Sequence, residues 1–480
     1  MMSGMGQVLI NVVSATAMRV ISAALSFAFF VIIARQRDPA FVGAFSTIFT
    51  LFAFSQMLPL LGLHLSLVRD AARPGADIAT LAANALIIGL VATAGMGVML
   101  GLVGETLYPQ DIHASLWLVA ACLPFHASML VGDSMLIGRE RLALVALING
   151  GESLLRVSGW IVIVILGGGL TALSMWMFAA RVLAVGIHRN WGGLHHLSFR
   201  TVSWAGITAH LRTIPVFLGI ALAAAIIARL DSLLLPLVGG LEALAIYMVA
   251  FKVYEAALMV PQSLSMALFP TIARLQAGPA DAFTALMSQL LGLTLLLGLP
   301  CALLVAAFVD GPFLLVFGQG YADSVIVIRV LIFATVLVAA DQIMSAAMLA
   351  AKHQNLDLAV LVTAGIGGVI LLMTLIPVYG HLGAAVGVLS MISLQVTVRS
   401  TLLRRSIRLD YLHIVWPPAL AAGAMAVVLV TGQSWPWNWR LLGASAAFLF
   451  TAWALGQLKT LHPARLQSLL PSRHAPAGAA

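Results

Sequence analysis

Charge is scarce in this chain. Only 9% of its 480 residues are Asp, Glu, Lys or Arg, against about a quarter in a soluble domain. With 61% apolar side chains and a mean hydropathy of +1.05, too little polar surface remains to cover a soluble fold of this length. Disorder and a collagen-like fibre are excluded by the same composition. Cysteine is nearly absent. Cys122 and Cys301 each lie in an apolar run, so neither a disulfide framework nor a metal spacing can be built, and both read as small buried hydrophobes. There is no P-loop, no HExxH, no CxxC and no Ser/His/Asp set in one loop. No enzyme chemistry and no metal or cofactor is therefore expected. The net charge of +8 is spread thinly between apolar runs and forms no long basic stripe, which argues against nucleic-acid binding.

What is present is a series of long apolar runs, at about 8–34, 41–63, 78–104, 114–137, 142–166, 168–188, 213–236, 243–272, 283–309, 323–350, 358–379, 382–403, 412–431 and 440–457. Each suits a membrane-spanning helix of roughly 20 residues, and none alternates with the period of a barrel strand. The first run lacks a basic flank and a small-residue cleavage pattern, so it is expected to be a retained helix. With the N-terminus placed in the cytoplasm, seventeen Lys and Arg fall in cytoplasmic segments, Arg181 and Arg399 among them. The other side holds only Arg35, Arg37 and Arg440. That asymmetry follows the positive-inside rule and predicts fourteen spans with both termini cytoplasmic. Trp435, Trp437 and Trp439 read as an interfacial belt at the outer end of the last hairpin.

Weak internal echoes recur in order. Asp38–Phe45 resembles Gly240–Tyr247, Asp77–Thr80 resembles Asp281–Thr284, and Ile32–Arg35 resembles Ile226–Arg229. Repeats six spans apart keep one orientation, which predicts a pseudo-two-fold axis along the membrane normal. The expected fold is an all-α polytopic membrane protein with fourteen transmembrane helices, two six-helix bundles related by that symmetry, and a C-terminal helix pair. The expected segments are an N-terminal bundle 1–190, a connector 191–212, a second bundle 213–404, helices 13–14 over 405–458, and a tail 459–480. The connector, with Trp191, Phe199 and Trp204 among basic residues, suits either the membrane surface or a plain linker.

Ten of the ionisable residues inside these runs are singled out: Arg19, Arg156, Arg229, Lys252, Arg329, Asp133, Glu152, Asp231, Glu255 and Asp341. Each costs roughly 2.5–3.5 kcal/mol on insertion scales, and such residues usually face a bundle interior or a wet cavity. Glu152/Arg156 and Lys252/Glu255 are spaced to share a helix face. Arg19 has no acidic neighbour in its own helix. Internal salt bridges fixing helix packing are the competing reading for the whole set. His126 is expected to be a packing histidine, and Gly97/Gly101 a helix-packing device. Pro124, Pro215, Pro261 and Pro300 are expected to kink or break their helices.

Three stretches resemble the middle of polysaccharide flippases: Ala228–Leu235, Gly240–Glu255 and Pro261–Pro270. Ala34–Gly43 is similar to that family's first turn, and Gly138–Arg141 to its basic turn between the fourth and fifth helices. The family belongs to the multidrug/oligosaccharidyl-lipid/polysaccharide export superfamily. The resemblance implies a bacterial inner-membrane flippase that moves a polyprenyl-pyrophosphate-linked oligosaccharide outward, rocking two bundles around a cationic cavity. Arg19, Arg156, Lys252 and Arg229 would then hold the pyrophosphate and sugar. Glu152, Glu255, Asp133, Asp341 and Asp231 would pair with them or bind a coupling H⁺ or Na⁺. Membrane lipid, a polysaccharide polymerase and export proteins are the implied partners. Lipid II flippases carry several arginines in the first helix, whereas here Arg19 alone is well inside. The alternatives are a drug/cation antiporter of the same superfamily and a membrane polysaccharide polymerase or ligase.

Overall fold

The computed structural model describes residues 2–457 except 57–59, 61–62, 196, 277–278, 352 and 405–408. Side chains are described except at 2–17, 19, 65, 199, 209, 212–213, 215–217, 219–228, 266–267, 269–270 and 280. Among the described residues the regular structure is entirely helical. Fifteen α-helices follow one another: α1 Met2–Gln36, α2 Pro39–Ser55, α3 His64–Ala71, α4 Ile78–Leu107, α5 His113–Gly138, α6 Leu142–Ile165, α7 Leu170–Asn190, α8 Trp204–Val238, α9 Gly240–Gln276, α10 Ala280–Phe308, α11 Asp310–Phe317, α12 Ser324–Ala350, α13 Gln354–Leu403, α14 Tyr411–Thr431 and α15 Trp437–Ala454. This is the all-helical membrane architecture that the apolar runs require, because a bilayer offers the backbone no hydrogen-bond partner. Nine spans among the described residues are long and apolar enough to cross a membrane.

Local sequence explains where the helices begin and turn. Pro39 opens α2, where a missing N–H costs nothing. Asp77 caps α4, accepting from the backbone N of Thr80 at 3.2 Å and its hydroxyl at 2.6 Å. Those bonds favour the charged form and hold the Asp77 carboxyl below its ordinary range. α8 starts nine residues before the apolar run at 213, inside the expected connector, because Ser203 caps it by accepting from Gly206 N. α13 is two antiparallel helices joined at Gly380, whose φ of 54° and ψ of −127° are non-helical. Across that turn Leu375 meets Gly383, Leu372 meets Gly387, and Leu394 meets Gly367. The expected boundary between runs 358–379 and 382–403 falls at this turn. The prolines do not break these helices: Pro124 and Pro300 lie inside α5 and α10, and α9 continues through Pro261.

The chain divides into two compact units, Met1–Val249 and Ala250–Ala480, and the division falls within α9. In the first unit α1 packs along α6, α4 along α5, and α5 along α7. Glycine permits close approach at these seams: Gly97 faces the Ala120 carbonyl, Gly101 the Trp117 ring, and Gly150 the Met18 side chain. The repeat-like turns themselves touch, since a Cβ on Gly43 would lie 1.9 Å from the Leu241 carbonyl oxygen. Phe29, Phe30, Phe45, Phe49 and Trp160 form an aromatic block between α1, α2 and α6. In the second unit α12 packs on α13 and α10, and α14 and α15 pack on each other and on α10. Cys122 is buried, but Cys301 is exposed on α10. A thiol on the outside of a membrane helix meets hydrocarbon at little cost, so burial was not required of it. Trp435, Trp437 and Trp439 are all exposed, as an interfacial belt needs.

Candidate functional site

The charges of the first unit meet on three helices. Glu152 and Arg156 are one turn apart on α6, and Arg156 Nε donates to Glu152 Oε1 at 3.0 Å. Arg181 enters from α7, its Nε 3.5 Å from the same carboxylate oxygen. The Arg181 Nη1 lies 3.4 Å from Met129 Sδ and 3.3 Å from His126 Nδ1, both on α5. The side chains of Glu152, Arg181 and Arg156 are only 4%, 8% and 13% exposed. Within this trio two guanidiniums share one carboxylate, which leaves one positive charge in excess, with the Asp133 carboxylate of α5 also within electrostatic reach of Arg181. The Arg181 Nε makes no hydrogen bond among the described residues, although buried donors are nearly always satisfied. Aromatic faces support both cations: Arg156 stands 4.7 Å from the Trp160 ring centroid and Arg181 5.5 Å from that of Phe52. Trp160 is fixed by donating to the Leu173 carbonyl at 2.9 Å. A buried, arginine-rich cluster with spare donors suits an anionic group, because guanidinium presents a fixed fork to phosphate or carboxylate.

Arg181 corrects the charge tally. It is buried within α7, not in a cytoplasmic loop, and Arg399, also counted there, is buried within α13. The signal was available: Arg181 has Ala179, Ala180, Val182 and Leu183 around it, and the helix ends only at Asn190. The expected tally then becomes fifteen cations against three.

The other singled-out residues are distributed as follows. Asp133 on α5 accepts from Asn149 Nδ2 at 2.7 Å and lies 3.4 Å from His188 Nε2 on α7. Asp231 accepts hydrogen bonds from the Tyr247 hydroxyl, out of α9, and from Ser232. Arg229 is half-buried near that carboxylate. Lys252 and Glu255 form a 2.6 Å pair on α9, Lys252 buried and Glu255 43% exposed. Asp341 accepts from Arg399 Nε and Gln395 Nε2, each at 2.7 Å, and Arg399 also binds Asp357, to which Ser345 donates. Arg329 grips Asp310 through both carboxylate oxygens, at 2.7 and 2.8 Å. The side chain of Arg19 lies outside the described residues; its neighbour Met18 packs on Gly150, which places the Arg19 backbone beside α6 close to Glu152. Glu152 and Arg156 thus come together as spaced, with Arg181 as the member that sequence reasoning missed. Arg156 and Lys252 belong to different units.

Comparisons with known proteins follow this geometry. The sequence family described as polysaccharide biosynthesis protein matches residues 8–276. No curated protein matches the sequence significantly. Among solved structures, the lipid II flippase MurJ in an inward closed conformation superposes with a TM-score of 0.73 at 11% identity, over 93% of this chain and 98% of that one. A MATE-family multidrug resistance transporter of the MOP superfamily, facing inward, gives 0.66 at 15% identity, over 81% and 94%. A MOP-superfamily transporter from Pyrococcus furiosus, for which a binding pocket of reverse polarity is described, gives 0.58 at 14% identity, over 84% and 95%. At these identities the likeness is one of fold.

Proposed function

The chain belongs to the polysaccharide biosynthesis protein family, and on that premise we propose that it is a flippase. Its cargo is a polyprenyl-pyrophosphate-linked oligosaccharide, moved from the inner to the outer leaflet of a bacterial inner membrane. Fourteen spans would form two six-helix bundles that rock in alternating access, with both termini cytoplasmic. One observation carries the reading: the Glu152–Arg156–Arg181 cluster is buried on the helices of a transporter-like bundle and holds an excess positive charge. A pyrophosphate is an anion that such a cluster suits, and the donors of Arg181 left over by Glu152 and Met129 are available to it.

Arg19 and Arg229 are the further headgroup candidates of the first unit, and Lys252 is the candidate of the second. Asp133, Asp341 and Asp231 each accept from a polar group on a neighbouring helix, and Glu255 pairs with Lys252. These four acids and Glu152 are the groups proposed to pair with the cations or to bind H⁺ or Na⁺. A polymerase and export proteins would take the cargo onward.

The test is mass spectrometry of lipid-linked sugars from cells lacking the protein. Build-up of a polyprenyl-pyrophosphate oligosaccharide, relieved by the intact chain and not by Arg156→Ala, is expected. No build-up, together with new sensitivity to cationic drugs, would replace the flippase reading with the antiporter.

A further inference from the structure

A second cationic site lies away from the buried cluster, where the inner ends of α5, α6 and α7 meet the connector. Arg139, Arg141, Asn190, Trp191, Gly193 and His195 line a cavity of about 290 Å³, the liquid volume of about ten waters. Arg139 and Arg141 come from the turn after α5, where Glu140 takes a left-handed φ of 60°. That turn is closed by bonds from Glu140 N to the Ile137 carbonyl and from Arg141 N to the Leu136 carbonyl, both 2.9 Å. Both arginines are exposed, and neither guanidinium has an ion pair or hydrogen bond among the described residues.

The opposite wall is backbone held against backbone. A Cβ on Gly193 would lie 1.9 Å from the Gly132 carbonyl oxygen, and one on Gly192 would lie 2.7 Å from the His188 Cα. Leu194 is buried in the core of the first unit, its N bonded to the His188 carbonyl. Arg189 ties the connector further by donating to the carbonyls of Leu194 and Leu197 at 3.2 and 2.9 Å. The cavity is therefore preformed, not opened by a ligand. Trp191 and Trp204, near the two ends of the connector, are 74% and 76% exposed. Exposed indoles on a membrane protein belong at the headgroup level, and this is the side that carries the basic loops. The leaflet on that side is the one rich in anionic lipid.

We propose that this cavity is a binding site for the phosphate headgroup of an anionic phospholipid, with Arg139 and Arg141 on the phosphate and Trp191 seated among the neighbouring headgroups. The ligand chemistry is a phosphate ester at the membrane surface. The inference does not depend on which cargo the chain carries.

The experiment uses the full chain in neutral detergent, with thermal unfolding and native mass spectrometry as readouts. Phosphatidylglycerol, phosphatidylcholine and inorganic phosphate are added separately. Phosphatidylglycerol is expected to bind and raise the melting temperature, and the other two are not. In the double variant Arg139→Ala/Arg141→Ala the lipid should bind about thirtyfold more weakly, the change that two cations near an anionic surface supply. Arg200→Ala, which removes an exposed arginine outside the cavity, should bind normally. Unchanged gel-filtration behaviour and unfolding without lipid would show that the double variant folds. Equal binding of phosphatidylglycerol by the double variant, or equal binding of phosphatidylcholine by the intact chain, would overturn the proposal. Saturation by inorganic phosphate alone would overturn the lipid as its source and assign the cavity to a soluble phosphate.

Discussion

Glu152 is the residue on which the buried cluster turns. Both arginines lean on its Oε1, so removing the acid leaves two like charges in a poorly solvated place, whereas removing either arginine leaves a one-to-one pair. Breaking a buried pair costs about 3–5 kcal/mol. The expected order of destabilisation is therefore Glu152→Gln first, at about 3 kcal/mol or more, then Arg181→Ala, then Arg156→Ala. Arg156 stands last because it is the most exposed of the three and is partly supported by the Trp160 face. Thermal unfolding of the three variants in one detergent checks this. An arginine variant less stable than the Glu152 variant would mean that the carboxylate is not the hub. The pair Glu152/Arg156 was legible in the sequence because helical spacing alone places residues four apart together. Arg181 was legible as a charge inside an apolar run, but its contact with Glu152 was not, because that contact joins two helices.

Between elements, the same distinction holds. Asn149 follows Asp133 by sixteen residues, and Asp357 follows Asp341 by the same interval. Each pair stands on two successive helices, near the turn that joins them. In each unit a basic residue from the next helix closes the set: His188 in the first and Arg399 in the second. This parallel spacing supports the expected repeat, which the apolar echoes mark only weakly. Those contacts were hidden from the sequence because spacing does not tell which faces pack. The hairpin at Gly380 was legible because a break in the apolar run and a glycine coincide there. The meeting of α2 with α9 was not, since nothing local marks it. It also gives a sharp test. A side chain at Gly43 would drive into the backbone of Leu241, which cannot move aside as a flexible side chain can, whereas Gly95 on α4 has nothing within 4 Å of the added carbon. Gly43→Val should prevent accumulation of folded protein, and Gly95→Val should stay within about 0.5 kcal/mol of the parent. The readout is monodisperse yield and melting temperature. Normal behaviour of the Gly43 variant would mean that the two turns do not touch.

At the scale of the whole molecule, what matters is the separation of charge across the membrane. In the fourteen-span topology expected from the sequence, fifteen cations fall on one side against three on the other, an asymmetry that would orient the chain, and the electric field met by that orientation could drive the proposed cargo. A pyrophosphate carrying two negative charges moves outward toward the positive side of the membrane. At about 2.3 kcal/mol per charge per 100 mV, the potential supplies about 4.6 kcal/mol, more than a thousandfold in the transbilayer ratio. On the proposed reading no coupling ion would be needed for net movement, and the excess positive charge beside Glu152 would have the simpler task of holding the headgroup midway. The expectation is that flipping in vesicles with equal H⁺ and Na⁺ on both sides accelerates when the side carrying the basic loops is made negative, and slows when the potential is collapsed. Under that mechanism Asp231→Asn and Glu255→Gln leave the voltage response intact. A rate that follows an H⁺ or Na⁺ gradient at zero potential, and is lost in either acid variant, would transfer the driving role from the field to those two carboxylates.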